Sequence, residues 1–73
     1  MKFPGKEEVE RIRHKYPAGC EVELVYMNDC QSPPPGTRGK VIAVDDIGTV
    51  HVAWSTGSRL GIALGEDCCR RCD

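Results

Sequence analysis

The stretch Lys40-Val41-Ile42-Ala43-Val44-Asp45-Asp46-Ile47-Gly48-Thr49-Val50-His51-Val52-Ala53-Trp54-Ser55 decides the fold. Val50, Val52 and Trp54 alternate with His51, Ala53 and Ser55, and that period of two predicts a strand with one buried face. Lys40 to Val44 predicts the strand before it. Between the two, Asp45-Asp46-Ile47-Gly48 is turn chemistry. Aspartates hydrogen-bond local backbone, and Gly48 takes a positive φ without a Cβ penalty. Strand, tight turn and strand make a hairpin. Trp54 stays in register with Val50 and Val52, which assigns it to the core.

Reading onward, Ser55-Thr56-Gly57-Ser58 is a second tight turn, and Arg59 to Leu64 predicts a strand with Leu60, Ile62 and Leu64 inward. Reading back, Cys20 to Met27 alternates. Cys20, Val22, Leu24 and Tyr26 fall on one face, and Glu21, Glu23, Val25 and Met27 on the other. Asn28 to Gly36 contains Pro33, Pro34 and Pro35, which cannot donate to a sheet ladder, so it reads as a stiff loop. Upstream, Val9, Ile12 and Tyr16 share one face of a helix running from Gly5 to Tyr16. Glu7 and Glu8 in its first turn and Arg11, Arg13, His14 and Lys15 near its end complement the helix dipole. Glu7 and Arg11 form an i, i+4 pair, and Pro17 stops the helix. One short helix and several short strands on tight connections predict a small, strongly bent sheet or closed barrel.

The chain has 73 residues, enough for one domain. A domain of this size buries only about 60% of its unfolded surface, which leaves little room for a deep active-site cavity. Ten Lys and Arg against 11 Asp and Glu give a net charge of -1, which argues against a general nucleic-acid clamp. Apolar runs are too short for a membrane-spanning helix, and the first eight residues lack the apolar core of a signal peptide. The expectation is a cytoplasmic protein with no membrane partner. Its five cysteines, an odd number without a secretion signal, read as reduced thiols.

The run Pro33-Pro34-Pro35-Gly36-Thr37-Arg38-Gly39-Lys40-Val41, followed by Val44-Asp45-Asp46-Ile47-Gly48, Val52-Ala53-Trp54-Ser55-Thr56-Gly57-Ser58 and Leu60-Gly61-Ile62, carries a resemblance. It resembles a family of small proteins of unknown function from Gram-positive bacteria, their phages and other mobile elements. The likeness extends from the Glu-rich helix to about Asp67. It implies an SH3-like barrel of about five short antiparallel strands with an N-terminal α-helix, and it implies no established enzymatic activity. The chain departs from the pattern at its end. Family members continue with a short apolar strand, where this chain has Cys68-Cys69-Arg70-Arg71-Cys72-Asp73, and Cys20 stands where Thr is more usual. The expected layout is one domain over 1–73: helix and turn at 1–17, barrel at 20–67, and a Cys/Arg-rich tail at 68–73.

These readings point to a non-enzymatic interaction module of a phage or mobile element, binding a protein partner such as a host-defence component. The candidate contacts are Tyr26, Asn28, Asp29, Pro34 and Pro35 near the proline loop, Asp45 and Asp46 in the first turn, and Arg38 and Arg59. Turn formation is the competing role for the aspartates. A second reading is nucleic-acid binding through a local basic patch of Arg38, Lys40, Arg59, Arg70 and Arg71. A third is a zinc-stapled domain, because Cys69 and Cys72 have the two-residue spacing with which thiolates grip one metal. No cofactor other than zinc is suggested. No nucleophile elbow, phosphate loop or metalloprotease motif is present. The protein is expected as a monomer, or as a homodimer through a strand edge or the tail thiols.

Overall fold

The computed structural model describes residues 5–72. Residues 1–4 and 73, within the span read as one domain, lie outside it. Helix α1 spans Lys6–Lys15, with Gly5 as its N-cap and Tyr16 closing it through an N–H donated to the Ile12 carbonyl at 2.9 Å. Val9 and Tyr16 are buried and Ile12 packs beside them, so the predicted apolar face is the docked face. Arg11 pairs with Glu8 at 3.5 Å and not with the expected Glu7, and Arg13 pairs with Glu10 at 3.2 Å. Positions three apart also neighbour each other on a helix.

Five strands follow: β1 Glu21–Tyr26, β2 Arg38–Val44, β3 Val50–Trp54, β4 Arg59–Ile62 and β5 Cys68–Arg71. They form one antiparallel sheet in the order β4-β3-β2-β1-β5. The mainly β class, the five strands and the N-terminal helix are as the sequence reads. Closure is not: β4 and β5 are free edges, so the sheet is open and not the expected barrel. The expected tail is also corrected. Cys68–Arg71 pairs with β1 from Val22↔Arg71 to Tyr26↔Cys68.

Two register shifts break the simple alternation. One lies in β1 between Leu24 and Tyr26, the other in β2 between Val41 and Ala43. An extra residue in one strand turns the following side chains to the other face. Tyr26, grouped by alternation with Val22 and Leu24, is therefore exposed, while Met27 is buried. Leu64, expected inward, is exposed because the chain leaves β4 after Ile62.

The inner face carries Val22 and Leu24 from β1, Val41 and Val44 from β2, Val50, Val52 and Trp54 from β3, Ile62 from β4 and Cys69 from β5. Trp54 is a core residue, as the alternation predicts, and its indole N–H donates to the Leu60 carbonyl at 3.2 Å. The outer face of the sheet faces solvent. Among the described residues no helix is long and apolar enough to cross a membrane.

Candidate functional site

A meander alternates its turns between two ends. The proline loop after β1 and the Ser55–Ser58 turn after β3 lie at one end of the sheet, and the Asp45–Gly48 turn after β2 lies at the other. The sequence-predicted contacts therefore divide into two groups.

At the proline-loop end, the β1 bulge turns two consecutive apolar residues, Val25 and Tyr26, toward solvent, with Tyr26 54% exposed. Pro33 is buried, whereas Pro34 and Pro35 are exposed beside them. Two bonds tie this loop to β1: the Gly36 N–H donates to Leu24 at 2.7 Å, and the Leu24 N–H donates to Thr37 at 2.8 Å. The Asp29 carboxylate accepts from the Gln31 N–H at 2.8 Å, which shapes the loop. Asn28 is exposed, and its backbone N–H donates to Asp67 Oδ1 at 2.8 Å. The other oxygen of Asp67 accepts from the Ala63 N–H at 3.0 Å. Asp67 thus links the exit of β1 to the exit of β4. Leu64, also exposed, sits on that crossover. The sequence reading missed Asp67; a lone aspartate before a cysteine pair carries no pattern.

At the opposite end, Asp45 and Asp46 are committed to structure. Asp45 Oδ1 accepts from Ile47 at 3.1 Å and Thr49 at 2.9 Å, and Oδ2 meets His51 Nε2 at 2.9 Å. The His51 hydrogen bond, with the two backbone N–H groups, holds the Asp45 carboxyl below its usual range. Asp46 Oδ1 accepts from Arg13 at 2.9 Å, and Arg13 Nε also donates to the Val44 carbonyl at 3.2 Å. The bond to Asp46 raises the Arg13 guanidinium further above its usual range. The turn clasps α1, and its aspartates are not grouped with the proline loop.

The outer face of the sheet carries a charged mosaic. Cross-strand register aligns Glu21, Lys40, Ala53 and Arg59 in one row over four strands. In the next row Arg70 stands opposite Glu23, which stands opposite Arg38. Arg38 lies 3.4 Å from Glu21 and 3.9 Å from Glu23, and Arg70 lies 3.2 Å from Glu23. A shallow depression of about 290 Å³ opens between Glu21, Arg38, Gly39, Lys40, Ala53 and Ser55. Arg71, expected in a basic patch with Arg38, instead donates to the Lys15 carbonyl at 3.1 Å, away from this row.

Cys20, Cys68 and Cys69 all lie near Tyr16. Cys69 is buried, its thiol hydrogen-bonded with the hydroxyl of Tyr16, the residue that caps α1. Burial, followed by the nearby Cys69, pushes the Tyr16 phenol up to about 12, and burial raises the Cys69 thiol. Cys72 follows three positions later, partly buried, its N–H donating to the Glu21 carbonyl at 2.9 Å. Of the pair read as a metal grip, Cys69 lies in β5 and Cys72 just beyond its end. Among the described residues no group of three or more His, Cys, Asp or Glu is placed to hold a metal ion. Cys20 is partly buried and Cys68 is exposed.

The fold and surface define a small open-sheet domain with one docked helix and a solvent-facing sheet. A family model described as "Domain of unknown function (DUF4314)" matches residues 5–72, and the chain belongs to that family. No curated protein and no solved structure matches it.

Proposed function

We propose that the protein is a non-enzymatic protein-interaction module that binds its partner at the proline-loop end of the sheet. The observation that carries this is the β1 bulge, which places Val25 and Tyr26 together in solvent beside exposed Pro34 and Pro35. A bulge re-aims side chains at a functional edge, and Tyr supplies a large contact area with a polar tip. The resemblance to proteins of phages and mobile elements makes a host protein, such as a defence component, the natural partner. The non-enzymatic reading is supported by side chains already engaged: His51 with Asp45, and Cys69 buried against Tyr16.

The test is a photo-crosslinking amino acid placed at Tyr26 and, as a control, at Ile47, an exposed apolar residue at the opposite end. In cells producing the protein, a discrete adduct from position 26 and none from position 47 is the expected result. Equal labelling from both positions, or none from 26, overturns the assignment.

A further inference from the structure

We propose that the outer sheet face holds an anion-binding clip, Lys40 and Arg59 astride Ala53, and that it takes a carboxylate from an acidic peptide segment of the partner. This rests on the protein-binding reading above and names the chemistry of that partner.

The argument is a charge balance on one surface. The face carries four cations, Arg38, Lys40, Arg59 and Arg70, around two carboxylates, Glu21 and Glu23. In register, Glu21 stands opposite Lys40. Its carboxylate nevertheless turns to Arg38 at 3.4 Å, and Glu23 serves Arg38 and Arg70. Among the described residues, Lys40 and Arg59 make no ion pair. They are the uncompensated cations of the face, and they flank the same residue, since Lys40 pairs with Ala53 and Ala53 with Arg59.

Geometry makes them one site. Adjacent strands lie about 4.8 Å apart, so the two backbones stand about 10 Å apart across Ala53. Both side chains are long enough to meet above that residue. Ala53 keeps the floor low between them; the depression opens on the Lys40 side of Ala53, bounded by Ser55, Arg38 and Glu21, and Arg59 stands outside its lining, across Ala53.

Size and boundary favour a peptide over a nucleic acid. The surplus is two charges, enough for one or two carboxylates. On the β1 side the cations give way to Glu21 and Glu23, so a phosphate backbone crossing the sheet would meet like charge. The chain as a whole carries -1, which offers no long-range attraction to a polyanion.

The test is an amide-resolved NMR titration of the whole chain with an acetylated tetraglutamate peptide and, separately, with single-stranded oligothymidine. The expected result is peptide-induced movement of the Lys40, Ala53 and Arg59 signals, weakened by added salt. The double variant Lys40→Gln, Arg59→Gln weakens peptide binding about tenfold, as expected for two exposed charge contacts. A second variant, Ala53→Glu, plants a carboxylate between the cations and blocks the peptide; it serves if the double variant unfolds. Ile47→Ser, at the turn between β2 and β3, leaves the titration unchanged. Movement elsewhere, or binding indifferent to the charge variants, overturns the clip. Tighter binding of oligothymidine through the same residues overturns the acidic peptide as its occupant. Because the titration uses no cellular partner, failure of the crosslinking at position 26 is read separately from failure of the clip.

Discussion

Gly39 shows how a single missing Cβ sets the local structure of the sheet. It lies opposite Trp54 in the β2–β3 ladder, and the indole packs over the bare backbone. A Cβ there would stand 2.7 Å from the Ala53 carbonyl, 2.7 Å from Val52 Cγ1 and 2.9 Å from Trp54 Cε3. Its φ is not in the left-handed region, so the constraint is space alone. A carbonyl in a ladder cannot step aside without breaking its own bond. Gly39→Ala is expected to destabilise the domain by about 1–3 kcal/mol, the usual cost of overpacking, in a urea unfolding series. An unfolding midpoint equal to that of the parent chain would show that the Trp54 ring is free to move. The structure uses Gly39 for the approach of Trp54, while its charged neighbours face out.

At the scale of elements, the contact between α1 and β5 couples the helix to the strand that was hardest to read. The Tyr16 phenol at the end of α1 lies buried against Cys69 of β5, and its ionisation is pushed up to about 12 from an ordinary 10. An acid whose folded value is raised binds its proton more tightly when folded. The stability it lends is complete below pH 10 and is lost as the pH rises toward 12. In a Tyr26→Phe variant, where Tyr16 is the remaining tyrosine, tyrosinate absorbance is expected to appear near pH 12, together with unfolding by circular dichroism. Tyrosinate formed near pH 10 with the fold intact would mean that the ring is open to water. The helix was legible because its apolar spacing is internal to it, and β3 because Val50, Val52 and Trp54 alternate without a break. β5 was not, because Cys68-Cys69-Arg70-Arg71 offers one apolar inward residue, and its extended form comes from pairing with β1. The bulges were illegible for a related reason. Alternation records the period of a strand, whereas a bulge depends on its partner, so alternation grouped Tyr26 with Val22 and Leu24 although its place near the proline loop made it a candidate contact. Of the candidate site, the proline loop and Arg59 were readable as exposed features, while the separation of Asp45 and Asp46 from that loop required the order of the strands.

At the scale of the whole molecule, the sheet is strongly curled although its ladder stays open. β4 ends at the Asp45–Gly48 end of the sheet, and β5 begins at the opposite edge, beside Tyr26. The five residues 63–67 connect them, and part of that length is spent in a turn, with the Glu66 and Asp67 N–H groups both donating to the Ala63 carbonyl. An extended chain gains only about 3.3–3.6 Å per residue, so a folded-back link of this length cannot cross a flat five-stranded sheet. The edges must approach, and Asp67 holds them there without strand pairing, one oxygen on Asn28 at the β1 exit and the other on Ala63 at the β4 exit. Hydrogen bonds to a charged acceptor contribute about 1.5–3 kcal/mol, and this carboxylate is partly shielded from water. Asp67→Ala is therefore expected to lower stability by about 2 kcal/mol. Amide exchange should speed up first at Asn28 and Ala63, because the curl loosens where its edges meet. Asp67→Asn retains one good acceptor and falls between the two. Unfolding midpoints that coincide for the parent chain and Asp67→Ala would mean that the inner-face packing alone curls the sheet, and the link merely follows it.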